Sequence, residues 1–129
     1  QSFKSWQGFA FENICFKHIN AVKRKLGISG VNSRVYNYRQ QSDDGPGAQI
    51  DLIIDRDDQI INLCEFKFYN KPFVINKAYA YQLKKKNEIL SQVVDRHKSI
   101  HLTIITSYVV QPHKYSSMEQ SEVILEELY

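Results

Sequence analysis

The stretch Gln49–Phe68 constrains the chain more than any other. Gln49-Ile50-Asp51-Leu52-Ile53-Ile54-Asp55 and Gln59-Ile60-Ile61-Asn62-Leu63-Cys64-Glu65-Phe66-Lys67-Phe68 are apolar runs separated by Arg56-Asp57-Asp58, the pattern of two consecutive β-strands. Buried strands have no ready place for charge, yet Asp51, Glu65 and Lys67 lie inside these runs. Glu65 and Lys67 are two residues apart and project from the same face of an extended chain. Burying an ionised carboxylate costs several kcal/mol, roughly, unless it is paired or holds a metal. Two arrangements meet that need. Two carboxylates can share a hard cation such as Mg²⁺, with the lysine holding or polarising a water; or the three charges can form a structural ion-pair cluster at a sheet end.

The first arrangement carries a geometric condition. Asp51 lies directly across from Glu65 only if the pairing is centred on Asp58. That requires an odd loop, such as Asp57-Asp58-Gln59, or a bulge. An even two-residue turn would put the carboxylates on opposite faces.

The surrounding chain supports one globular domain. It has 129 residues, 43% of them hydrophobic and 12% aromatic, enough for a single core. Cys15 and Cys64 sit in apolar patterns at no metal-ligand spacing, which predicts buried thiols in a reducing, cytoplasmic setting. No apolar run approaches the roughly 18 residues of a membrane span, so no membrane partner is expected. All seventeen Lys/Arg but only ten of the fourteen acidic residues precede position 119, leaving that part with a formal charge of +7. Such a basic body is compatible with a nucleic-acid partner. The opening Gln-Ser-Phe-Lys lacks an initiator methionine, which suggests a segment of a longer polypeptide.

Helical spacing of Phe11, Ile14, Cys15, His18, Val22 and Leu26 predicts a helix over 5–26, stopped by Gly27, with Lys23-Arg24-Lys25 at its negative end. Glu12 falls on a line with Phe9 and Phe16, which places it toward the edge of the core or makes it a surface glutamate on the helix flank. Arg34–Gln41 alternates as a polar edge strand, and Ser42-Asp43-Asp44-Gly45-Pro46-Gly47 is a turn cluster. A second helix is expected from Val74 to about His97, its apolar face formed by Ile75, Ala78, Tyr79, Leu83, Ile89, Leu90, Val93 and Val94. On that helix Gln82 points inward with Lys86, while Lys84 and Lys85 lie toward the other flank. The basic stripe Lys84-Lys85-Lys86 suits phosphate contact, though such stripes are also ordinary solvated surface. A strand over 101–110 and a short one at Val123-Ile124-Leu125 complete the pattern. The four histidines form no ligand pair.

A helix with a glutamate, a strand, a strand with Asp, a strand with Glu-x-Lys, a helix with Gln and a strand: this order resembles the core of the PD-(D/E)XK nuclease superfamily. The likeness rests on Glu12 in Phe9-Ala10-Phe11-Glu12, Asp51 in Gln49-Ile50-Asp51-Leu52, and Glu65-Phe66-Lys67. The chain also resembles, along nearly its whole length, the nuclease-like C-terminal domain of bacterial P-loop ATPases of the AAA type, through Trp6–Glu12, Gln49–Arg56, Cys64–Phe68 and Val123–Tyr129. It departs from the superfamily pattern at Ile50, where the eponymous motif has proline, and at Lys86, where some relatives have tyrosine four residues after the glutamine.

The resemblance implies an α/β fold like that of restriction endonucleases, order α-β-β-β-α-β, a central mixed sheet flanked by helices, over residues 1–129 at the end of a longer ATPase chain. It implies a Mg²⁺-dependent endonuclease, with Mn²⁺ as an alternative ion, hydrolysing phosphodiester bonds in DNA. Asp51 and Glu65 would bind the metal with the Phe66 carbonyl, Glu12 would hold a water or a second ion, Lys67 would orient or activate the attacking water, and Gln82 would shape its position. The competing reading is a nuclease-fold module that binds nucleic acid or protein for an attached ATPase without cleaving; a plain structural domain with an ion-pair cluster is the third.

Overall fold

The computed structural model describes residues 19–42, 45–67, 74–106, 112, 115, 118, 119 and 121–124, with backbone alone at 36, 38–42 and 45–48. The fold is α/β. Helix α1 (Ile19–Lys25) is followed by strands β1 (Ser33–Ser42), β2 (Gly45–Arg56) and β3 (Ile60–Lys67), helix α2 (Lys77–Val93), and strands β4 (Ser99–Thr106) and β5 (Ser121–Ile124). The strands form one five-stranded mixed sheet in the order β1-β2-β3-β4-β5, with the polar strand β1 at an edge as its composition predicts. β1, β2 and β3 are antiparallel, whereas β3, β4 and β5 are parallel, so β3 is the seam between the two halves.

Helix α1 ends where Gly27 predicts. Its φ of 75° is left-handed, and Ile28 N–H donates to the Lys23 carbonyl at 2.9 Å while Gly27 N–H donates to Arg24 at 3.0 Å. This double closure is a Schellman motif. The part of the expected helix before residue 19, with Glu12 and Cys15, lies outside the described residues.

The two apolar runs are β2 and β3, joined by Asp57-Asp58-Gln59. Gln59 is left-handed at φ 72°, which lets a three-residue loop close the hairpin. The observed pairs, Asp55↔Ile61 through Leu52↔Cys64, are centred on Asp58 as the metal arrangement requires. At the other end of β2, Ser42 and Gly45-Pro46-Gly47 of the expected turn cluster lie in strands. Pairing with β1 extends to Ser42↔Gly45. Among the described residues that end of β2 pairs with β1 alone, so no second ladder there demands the N–H that Pro46 lacks.

Helix α2 is shorter than the 74–97 expected from periodicity. Asn76 caps it, its side chain accepting from Tyr79 N–H at 2.8 Å, and buried Ile75 and Ala80 flank the cap in the same apolar cluster as a hydrophobic staple. At the far end Val94 is extended, and the Asp95 carboxylate accepts from His97 N–H at 2.8 Å, competing with further helix. The buried face is Ala80, Leu83 and Leu90; Ala78 is exposed, as is Val93 at 59%.

The sheet separates two apolar clusters. Ile53, Ile61, Leu63 and Ile104 meet Leu83 and Leu90 of α2, whereas Leu52, Ile54, Cys64, Ile105 and Val123 meet Val22 of α1. Lys25 donates to the Ile124 carbonyl, tying α1 to β5. Asn62 is wholly buried; it accepts from Arg56 Nη1 at 3.1 Å and donates to Thr103 Oγ1 at 2.9 Å, linking the hairpin end to β4. Among the described residues no helix is long and apolar enough to cross a membrane.

Candidate active site

The hairpin register brings Asp51 and Glu65 together at the point where β2 and β3 part. The backbone ladder ends at Leu52↔Cys64, and one step beyond it Asp51 Oδ2 accepts from Phe66 N–H at 3.1 Å. A carboxylate thus takes the place of a ladder acceptor. β3 continues beside β4 as far as Lys67↔Thr106, so Glu65 and Lys67 sit on a strand anchored on its other side.

Alternation puts Glu65 and Lys67 on the face of Ile61 and Leu63, beneath α2. Glu65 is 1% exposed. Its Oε1 accepts from Lys86 Nζ at 2.7 Å and from the Tyr79 hydroxyl at 3.1 Å, while its Oε2 is buried with no hydrogen-bond partner among the described residues. Burial, and next the negative charge of Asp51, push the Glu65 carboxyl above its ordinary range, against the pull of Lys86 and Tyr79. Lys67 Nζ lies 4.4 Å from the centroid of the Tyr79 ring. Tyr79 therefore touches both charged residues of Glu65-Phe66-Lys67.

The expected set divides. Asp51, Glu65 and Lys67 share one region, with the Phe66 backbone present through its N–H; Glu12 lies outside the described residues. Gln82 does not point inward: it is exposed. At about 100° per residue it stands roughly a quarter turn from Leu83, the centre of the buried face, and the expected face is offset because Ala78 and Val93 are exposed. Lys84 and Lys85 are exposed and remain available to a phosphate, Lys85 lying 5.3 Å from the Tyr81 ring. Lys86 belongs instead with Glu65. Its inward position was legible from the helical line, but its partner was not, and Tyr79 read only as an apolar residue.

No family model matches the chain, and no curated protein matches it. A solved structure described as a protein of unknown function, AF1548, resembles it with a TM-score of 0.48 at 20% identity, over 85% of this chain and 56% of that one. This chain thus spans little more than half of that protein.

Among the described residues no three His, Cys, Asp or Glu side chains converge. Asp51 and Glu65 nevertheless have the character of a hard-cation pair: two oxygen donors, mutual repulsion that a cation offsets, and a buried carboxylate oxygen without a partner among the described residues. Mg²⁺ commonly binds proteins through one or two carboxylates and completes its shell with water and phosphate oxygens.

Proposed function

We propose that this chain is a Mg²⁺-dependent phosphodiesterase module acting on nucleic acid, with DNA as its substrate, and that it works attached to a P-loop ATPase. The observation that carries the reading is the cross-strand approach of Asp51 and Glu65, with Glu65 Oε2 unpartnered among the described residues. The resemblance to PD-(D/E)XK nucleases and to the C-terminal domains of bacterial ATPases supplies substrate class and partner.

Asp51 and Glu65 hold the cation, which offsets phosphate charge and lowers the pKa of water when bound. Lys67, on the same face as Glu65 and two residues on, orients the attacking water. Exposed Lys84 and Lys85 contact the nucleic-acid backbone, positioning it without reading sequence. Glu12 retains the part implied by resemblance.

A second reading, a silent binding module, is favoured by Lys86, whose ammonium already supplies positive charge to Glu65. One experiment separates them. Circular and linear DNA and RNA are incubated with wild type, Asp51→Asn and Lys67→Ala, in Mg²⁺, Mn²⁺ or chelator. Metal-dependent cleavage lost in both variants supports the enzyme; no wild-type cleavage, with DNA still bound, supports the silent module.

A further inference from the structure

Lys86 and Tyr79 treat the two oxygens of Glu65 differently. Oε1 receives two donors, at 2.7 and 3.1 Å, whereas Oε2 receives none among the described residues. A carboxylate that bridges two divalent ions through both of its oxygens gives one to each, the ions lying roughly 4 Å apart. With Oε1 closed, Glu65 has one oxygen to give. The ammonium also stands against Oε1, where a second ion would bind, and like charge excludes one. Tyr79 is held in turn by its place on the capped first turn of α2, its N–H on Asn76, and its hydroxyl reaches the same oxygen as Lys86.

We propose that Lys86, which shares Glu65 Oε1 with the Tyr79 hydroxyl, is a resident cation that limits the Asp51–Glu65 pair to a single divalent ion. The inference rests on the pair being a metal site. It assigns Lys86 a positioning role in place of backbone contact, and makes the count of ions a property of α2.

The test is the stoichiometry of Mn²⁺ binding to the whole chain, by calorimetry and electron paramagnetic resonance, in wild type, Lys86→Met, Lys86→Arg, Tyr79→Phe and Glu65→Gln. Wild type and Lys86→Arg should bind one ion with an isolated spectrum. Lys86→Met should bind two, with a spin-coupled spectrum, and Glu65→Gln should lose detectable binding. Tyr79→Phe keeps the ammonium but removes one of the two donors on Oε1 and should admit the second ion at higher Mn²⁺; it decides the matter if Lys86→Met does not fold. Two ions on the wild type, or one ion on every variant that retains Glu65, would overturn the resident-cation role and leave the metal site standing. No Mn²⁺ on wild type, Lys86→Met or Tyr79→Phe would overturn the site itself, and this inference with it.

Discussion

Lys86 Nζ stands 2.7 Å from Glu65 Oε1, joining the middle of α2 to the seam strand of the sheet through a carboxylate that is 2% exposed and an ammonium that is 20% exposed. Removing one partner of such a pair leaves the other buried and uncompensated, which costs more than the pair itself contributes. Lys86→Met is expected to destabilise the fold by about 3 kcal/mol. Urea denaturation measures this. Adding Glu65→Gln should recover part of the loss, because the stranded charge is then gone.

Asp51 raises the proton affinity of Glu65, after burial itself. In Asp51→Asn the Glu65 carboxyl should titrate at lower pH than in wild type, as followed by carbon NMR of the side chain. In Asp51→Ala the Phe66 amide, which donates to Asp51 at 3.1 Å, should exchange with solvent faster. An unchanged Phe66 rate would mean that the carboxylate does not secure the end of the hairpin.

The pH dependence of stability has an identifiable contributor outside the site. Burial, then the charge and hydrogen bond of Glu122, push Glu119 up from 4.5 to about 7. The folded state therefore holds a proton that the unfolded chain releases near 4.5. This contribution is complete below pH 4.5 and is lost as pH rises through about 7. Melting temperatures of wild type should fall across that window relative to Glu119→Gln, in which the dependence is removed.

Asn62 is buried between Arg56 and Thr103. Asn62→Ala removes the donor to Thr103 Oγ1, whose hydroxyl keeps its 3.4 Å bond to the His101 carbonyl, together with one Arg56 hydrogen bond, and should cost about 1–3 kcal/mol, read by chemical denaturation. Asn62→Asp, which keeps an acceptor for Arg56 but removes the donor to Thr103, tests which link matters more.

Gln59 adopts a left-handed backbone that a side chain disfavours by roughly 1–2 kcal/mol. Gln59→Gly should therefore raise the melting temperature, offset in part by the greater freedom of glycine in the unfolded chain. Its carbonyl, which accepts from Ser99 N–H at 2.9 Å, is unaffected by the change.

The sheet and the cross-strand carboxylates were legible because both depend on parity. Alternation fixes which residues share a face, and an odd loop after Arg56 fixes that Asp51 meets Glu65. Gly27 and the polar edge strand were legible for similarly local reasons. The helical contribution was harder. A face estimated from apolar residues alone was pulled toward Ala78 and Val93, and this turned Gln82 inward and overlooked the caps that shorten α2. Tyr79 and Lys86 are amphipathic side chains whose polar ends find Glu65 only after the helix packs, so sequence spacing names their direction without naming their partner.

Cys64 precedes Glu65 on β3 but points to the opposite face, wholly buried, with Sγ 3.8 Å from the Asn62 carbonyl oxygen. The molecule thereby carries a built-in reporter behind its own site. In a Cys15→Ser background, a thiol-specific reagent can reach Cys64 only when the α1 side of the sheet opens. Its labelling rate times that opening from the reverse side of the strand, and can tell whether a ligand gripping Glu65 tightens the whole sheet or only the face it touches.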